Sequence, residues 1–165
     1  MNIEEIQTAS TEVLEALGRL VPQLSASALI VDMRHLDSLV RDSSSRLLIA
    51  REPDEAGQIV GMGTLATYRT PTGMRAVIED VVVDNAFRGR GIGEALLDGL
   101  VRLAEAAGAA GVALTSNPRR TSANRLYLKV GFRRRQTNNY YFDFGRTRGG
   151  GAGARESAPG DELSR

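Results

Sequence analysis

A chain of 165 residues, 42% of them hydrophobic, is long enough for one domain with its own core and too short for several. Lys and Arg (21) nearly balance Asp and Glu (20), so the net charge of +1 offers no platform for nucleic acid or an anionic membrane. The lack of cysteine excludes disulfides, a thiolate nucleophile and Cys-based metal sites, and the single His35 cannot furnish a zinc ligand set, so no metal is expected. No apolar run approaches the ~20 residues that cross a bilayer. The acidic start MNIEEIQTAS lacks the pattern of a signal peptide, and a soluble cytoplasmic protein is expected.

Taken in chain order, Asn2–Thr8 alternates loosely and predicts a first strand. Ser10 or Thr11 then caps a helix to about Leu20, with Leu14, Leu17 and Val21 on one face. A second helix is predicted over Val31–Val40, a strand over Arg46–Arg51, turn chemistry at Pro53–Gly57, and the paired strand of a hairpin over Ile59–Tyr68. After a turn at Pro71–Gly73 comes a long strand, Met74–Val83. Gly91–Ala107 is the clearest helix, with Ile92, Leu96, Leu100, Leu103 and Ala107 at helical spacing. A short strand over Val112–Thr115, a helix over Thr121–Val130, and strands over Phe132–Arg135 and Asn139–Phe144 complete the pattern. Strands dominate the middle, which argues for a mixed α/β (α+β) sheet with helices on both faces rather than strict βα alternation. The Gly-rich run 145–165 has almost nothing apolar to offset its ordering entropy and is expected to be a disordered tail behind a domain over 1–144.

The most informative stretch is Val81–Gly93, where a β-branched strand meets a turn with alternate glycines (Gly89, Gly91 and Gly93) and then a helix. Glycines permit positive φ and close approach of backbone to a ligand. The first N–H groups of a helix lack internal partners and the helix dipole adds positive potential, so the turn is a seat for phosphate, with Arg88 and Arg90 adding charge. It is not a dinucleotide fingerprint, because the sixth position counted from Gly89 is Glu94, and no Gly-Lys-Ser/Thr of a Walker loop occurs in the chain.

Arg88-Gly89-Arg90-Gly91-Ile92-Gly93 resembles the Arg/Gln-x-x-Gly-x-Gly/Ala signature of GNAT acetyltransferases. Further on, Leu126-Tyr127-Leu128-Lys129-Val130-Gly131-Phe132 resembles that family's Leu/Phe-Tyr-x-x-x-Gly-Phe segment in order and spacing. The resemblance spans about Asn2 to Phe144. It implies a mostly antiparallel sheet whose two central parallel strands, Met74–Val83 and Val112–Thr115, splay apart around acetyl-CoA. Main-chain groups of Val81, Val82 and Val83 would then pair with the pantetheine arm, and Arg88–Gly93, including Gly89, Arg90, Gly91 and Ile92, would hold the pyrophosphate. Many members carry an Asn seven positions before the Tyr; here Arg120 stands there, with Asn117 and Asn124 as candidate substitutes in contacting the cofactor.

Acetyl transfer to an amine needs a base for the amine, a donor for the oxyanion and an acid for the departing thiolate. Tyr127 matches the tyrosine to which the family assigns the acid role; the competing reading is a core aromatic. Glu79 and Asp80 are two carboxylates in an apolar run, costly unless paired or used. Strand alternation sends them to opposite faces. Glu79 resembles the acidic residue some members use as base, against which stands a structural pairing with an arginine. The oxyanion donor would be a backbone N–H near Val81. Met33, Leu36, Met62 and Tyr68 are candidates for an acceptor pocket or for ordinary core, and His35 is read as a satisfied or surface histidine. The expected function is acetyl-CoA-dependent N-acetylation of a primary amine on a small molecule. The alternatives are a non-enzymatic acyl-CoA-binding module, a protein N-acetyltransferase, and a nucleotide-binding protein unrelated to CoA. Relatives of this kind are commonly dimers, which leaves a homodimer open.

Overall fold

A single short strand at the N-terminus, with two glutamates in four residues, is held to an apolar neighbour, and from there the sheet grows in sequence order. In the computed structural model, which describes residues 1–24, 31–142 and 144, the strands are β1 (Asn2–Glu5), β2 (Ser45–Glu52), β3 (Gln58–Thr70), β4 (Gly73–Val83) and β5 (Val112–Leu114). They form one five-stranded sheet in the order β1-β2-β3-β4-β5. The first three pairings are antiparallel and β4–β5 is parallel. The helices are α1 (Thr11–Leu24), α2 (Met33–Arg41), α3 (Ile92–Ala106) and α4 (Thr121–Val130), with a 3₁₀ turn at Asn85–Phe87. The mixed, mostly antiparallel sheet with helices on both faces is as the sequence predicts.

The middle of strand β2, Leu47 to Ala50, is an unbroken apolar run because both its faces are covered. Leu48 and Ala50 enter the core under α3 and α4, with Leu96, Leu97, Leu100 and Tyr127. Leu47 and Ile49 enter the core under α1 and α2, with Val13, Leu17, Leu20 and Leu36. Helix α3 lies close on the sheet at Gly63, where a Cβ would sit 2.8 Å from the Leu100 Cδ1. Ser10 caps α1 by accepting the Val13 N–H at 3.2 Å, and Asp32 caps α2 by accepting the His35 N–H at 2.7 Å. The α1 stripe that is fully buried is Val13, Ala16, Leu17 and Leu20, shifted from the predicted face, and the helix runs past Pro22 to Leu24. A proline so near the helix end removes one N–H at little cost when the preceding turns are already anchored in the core.

One irregularity in β4 shapes everything that follows. Thr64 pairs with Glu79 and Met62 with Val82, so Gly63 faces two residues, Asp80 and Val81. Asp80 takes up the extra residue with φ +55, a left-handed conformation that Asp tolerates better than most side chains. The bulge reverses the facing of the strand: Ala76 and Ile78 point into the α3 core, but beyond it Val81 and Val83 do so, while Val82 joins the α1–α2 core.

The body just described comprises Met1–Arg133, and a second unit begins at Arg134. The strands predicted over Phe132–Arg135 and Asn139–Phe144 are not formed among the described residues. Arg133, Arg134 and Arg135 are adjacent like charges followed by polar residues, and Tyr140, Tyr141 and Phe142 run together, so neither segment has the alternating apolar face that fixes a strand. Within the second unit the Phe142 and Phe144 rings meet edge to face at 5.5 Å, and Asn138 Nδ2 donates to the Tyr140 hydroxyl at 3.2 Å. The predicted disordered tail, 145–165, lies outside the described residues.

Candidate active site

Pairing of β4 with β5 ends at Ile78 opposite Leu114. Beyond that point β4 continues to Val83 paired with β3 alone among the described strands, while the chain leaving β5 after Leu114 no longer pairs with it; this parting is the splay. A cavity of about 170 Å³ opens at the splay, lined by Leu24, Ile78, Glu79, Asp80, Val81, Leu114, Thr115, Arg120 and Tyr127. It therefore gathers the end of α1, the bulge of β4, the end of β5 and one face of α4.

Both carboxylates line this one cavity, where simple alternation would have separated them; the bulge at Asp80 is the reason. Neither carries an ion pair or hydrogen bond among the described residues, and no arginine there pairs with Glu79. Partial burial pushes the Glu79 carboxyl above the ordinary carboxylate range, and the charge of Asp80 beside it adds to the effect. Tyr127 packs in the core, edge-on to Phe132 with ring centroids 6.2 Å apart, yet it also lines the cavity. A place in the core and a place on the cavity wall thus coexist in one side chain. Burial raises its phenol above the ordinary tyrosine value, while the positive charge of Arg120 works in the opposite direction.

The glycine turn continues directly from β4. Asp84 accepts the Ala86 N–H at 3.1 Å and opens the 3₁₀ turn; Gly89 (φ +79) and Gly91 (φ +82) are both left-handed. Gly91 is the N-cap of α3, with no side-chain cap and no atom within 4 Å of where a Cβ would stand. The helix ladder begins with Ala95 N–H donating to the Gly91 carbonyl at 3.1 Å. The N–H groups of Ile92, Gly93 and Glu94 therefore precede it and face outward from the helix end. Arg88 is held back on the strand, its Nε donating to the Val83 carbonyl at 3.2 Å, and Arg90 lies over the Phe87 ring at 4.9 Å. The Ile92 side chain is in the core, as are those of Val81, Val82 and Val83 in whole or part, so the polar groups these four can offer a ligand are those of the backbone.

Asn117 and Asn124 shape the turn between β5 and α4. Asn124 Nδ2 donates to the Asn117 carbonyl at 3.0 Å, and Asn117 Oδ1 accepts the Arg119 N–H at 2.9 Å. Neither lines the cavity; Arg120 does. Met62 and Leu36 are core, Met33 and Tyr68 are exposed, and His35 serves only through its backbone at the α2 cap. Sequence reasoning missed Leu24 and Thr115 as lining residues and Ser116, whose hydroxyl is buried without a partner among the described residues. The one available signal was position: all three lie at element ends flanking the splay. No group of three or more His, Asp or Glu among the described residues is disposed to hold a metal, and no described helix is long and apolar enough to cross a membrane.

The model of the acetyltransferase (GNAT) family matches residues 13–132. A glucosamine 6-phosphate N-acetyltransferase of Trypanosoma brucei brucei is 38% identical over 127 residues, 73% of this chain and 80% of that protein. Among solved structures, an aminoglycoside acetyltransferase from an uncultured soil metagenomic sample superposes with a TM-score of 0.75 at 20% identity, over 87% of this chain and 95% of that one. A ribosomal-protein-alanine N-acetyltransferase from Brucella melitensis gives 0.68 at 20% identity, over 87% of this chain and 100% of that one. The chain belongs to the GNAT family and is an acetyltransferase.

Proposed function

We propose that this acetyltransferase takes its acetyl group from acetyl-CoA and transfers it to a primary amine on a small molecule. The observation that carries the reading is the meeting, in one cavity at the β4–β5 splay, of an unpaired carboxylate of raised pKa and a tyrosine. The residues present fit the donor. The outward N–H groups of Ile92, Gly93 and Glu94, behind left-handed Gly89 and Gly91, suit a pyrophosphate, with Arg88 and Arg90 adding charge. Those backbone groups of Val81, Val82 and Val83 that point away from β3 suit the amides of a pantetheine arm. Asn117 and Asn124 serve at one remove, by fixing the turn that presents Arg120.

In this reading Glu79 takes a proton from the incoming ammonium, directly or through water. A raised carboxyl pKa suits the task, because it narrows the gap between base and amine. A backbone N–H at the bulge, near Val81, donates to the oxyanion. Tyr127 gives its proton to the departing sulfur. The similarity to an amino-sugar-phosphate acetyltransferase supports a small-molecule acceptor and makes glucosamine 6-phosphate the first to try. A cytoplasmic location and a homodimer belong to the same reading. Thiol release from acetyl-CoA, measured over a panel of small primary amines and amine-bearing peptides, tests it. Turnover with one or more small amines is expected; turnover with peptides alone would transfer the assignment to protein acetylation, and binding without turnover would reduce the site to a sensor of acyl-CoA.

A further inference from the structure

The cavity holds one cation among its lining residues, and it stands on the same helix face as the tyrosine. Arg120 is the N-cap of α4 and Tyr127 lies seven positions on, two turns further along, so both project to the side of α4 that faces the splay. Arg120 is committed through its backbone, its N–H donating to the Asn117 carbonyl at 3.0 Å. Its guanidinium has no ion pair or hydrogen bond among the described residues, although the carboxylates Glu79 and Asp80 line the same cavity.

The reaction explains what an unpaired guanidinium does there. When the amine nitrogen bonds to the thioester carbonyl carbon, the C–S bond breaks and its electron pair passes to sulfur. Tyr127 donates its proton to that sulfur, and the negative charge moves to the phenol oxygen until it takes up, by way of Glu79, the proton that the amine lost. Glu79 and Asp80, from β4, both oppose negative charge in this space; Leu24 from α1, Leu114 from β5 and Thr115 just after it carry none. We propose that Arg120 stabilises the negative charge that passes from the departing sulfur to the Tyr127 oxygen, and so makes the tyrosine an effective acid between two carboxylates. The inference rests on the acid role given to Tyr127 above. The opposition of Arg120 to the burial effect on the Tyr127 phenol agrees with it.

The test compares the wild type, Arg120→Gln, Arg120→Lys and Tyr127→Phe, each checked for an unchanged melting temperature. Two readouts are needed. The first is thiol release from acetyl-CoA, with glucosamine 6-phosphate as acceptor, or with water alone should that amine not react. The second is ultraviolet titration of the Tyr127 phenol, taken as the difference between each protein and its Tyr127→Phe counterpart. Arg120→Gln should lower kcat on the order of tenfold, a preorganised charge being worth less at a solvent-accessible position than in a sealed site. It should move the phenol titration and the alkaline limb of kcat to higher pH, leave KM for acetyl-CoA nearly unchanged, and add little loss in a Tyr127→Phe background. Arg120→Lys should restore most of both. An Arg120→Gln protein with normal kcat and an unmoved titration overturns the proposal. If its only defect is KM for acetyl-CoA, the guanidinium is a cofactor contact; if only KM for a phosphorylated acceptor changes, it reads the acceptor. Full activity in Tyr127→Phe would instead end the acid reading itself, while the phenol titration would still report whether Arg120 acts on the tyrosine.

Discussion

Glu79 and Asp80 share a cavity because a single residue of β3, Gly63, faces two residues of β4. That arrangement has consequences for pH. The Glu79 carboxyl is raised first by burial and then by Asp80, so its charge is a cost to the folded state at neutral pH. The stability tied to it is present below the ordinary carboxylate range and is lost as pH rises through the raised value. Glu79→Gln should therefore keep or slightly raise the melting temperature at pH 7, while kcat falls on the order of 10² through loss of the base. A marked loss of stability with normal kcat would make Glu79 structural. Asp80→Asn, which keeps a side chain tolerant of φ +55, should move the acid limb of kcat/KM down towards the usual carboxylate range. An unmoved limb would mean that a group other than Glu79 sets it.

At the level of elements, α1 is tied to the donor side of the site as well as to the cavity. Leu24 lines the cavity, and one residue earlier Gln23 Oε1 accepts the Asn85 N–H at 2.9 Å, at the first residue of the 3₁₀ turn. Gln23 is itself steadied by its Nε2 donating to the Arg19 carbonyl at 3.1 Å, and Arg19 Nη2 donates to the Ile59 carbonyl at 3.0 Å. Gln23→Leu should raise KM for acetyl-CoA a few-fold, the scale of one partly exposed hydrogen bond, with kcat little changed; steady-state kinetics decides it, and an unchanged KM would show that the turn holds its shape unaided. Most elements were legible in the sequence because their signals are local: the α3 period, the Thr121–Val130 helix, the turn chemistry at Pro71–Gly73, and the strand–glycine–helix succession of the phosphate seat. What escaped was set by partners distant in the chain. The bulge at Asp80 has no glycine to announce it, the passage of α1 through Pro22 depends on core contacts of earlier turns, and the strands expected after Gly131 had aromatic residues but no alternating face. The cation of the cavity was visible as a residue, Arg120, at a position where relatives often carry Asn; only the fold shows it facing Tyr127's side of the splay.

For the molecule as a whole, two apolar cores on opposite faces of one sheet hold α1–α2 and α3–α4 to the same strands, and ion pairs secure the α1 side. Arg51, only 9% exposed, donates Nε to Glu4 at 2.6 Å, Nη1 and Nη2 to Glu12 at 2.5 and 2.9 Å, and Nη1 to the Gly57 carbonyl at 3.0 Å. Arg51 holds the Glu12 carboxyl below its ordinary value, as Arg46 does for Glu5. Groups depressed in this way contribute stability above the unfolded carboxylate pKa, about 4.3, and lose it as pH falls through the lower folded value. Arg51→Met should lower the melting temperature by a few degrees at pH 7, and the gap from wild type should narrow on acidification below about pH 4; a gap independent of pH would assign the loss to packing alone. The central claim, that the turn after β4 seats the pyrophosphate of acetyl-CoA, is tested most directly by calorimetric titration of acetyl-CoA into the wild type and Gly91→Val. A β-branched side chain at φ +82 disfavours the native turn and crowds the outward N–H groups. With far-UV circular dichroism showing both proteins folded, the account predicts binding to the wild type and a loss of well over tenfold in Gly91→Val, about 1.4 kcal/mol or more; equal affinity in the two proteins would contradict it.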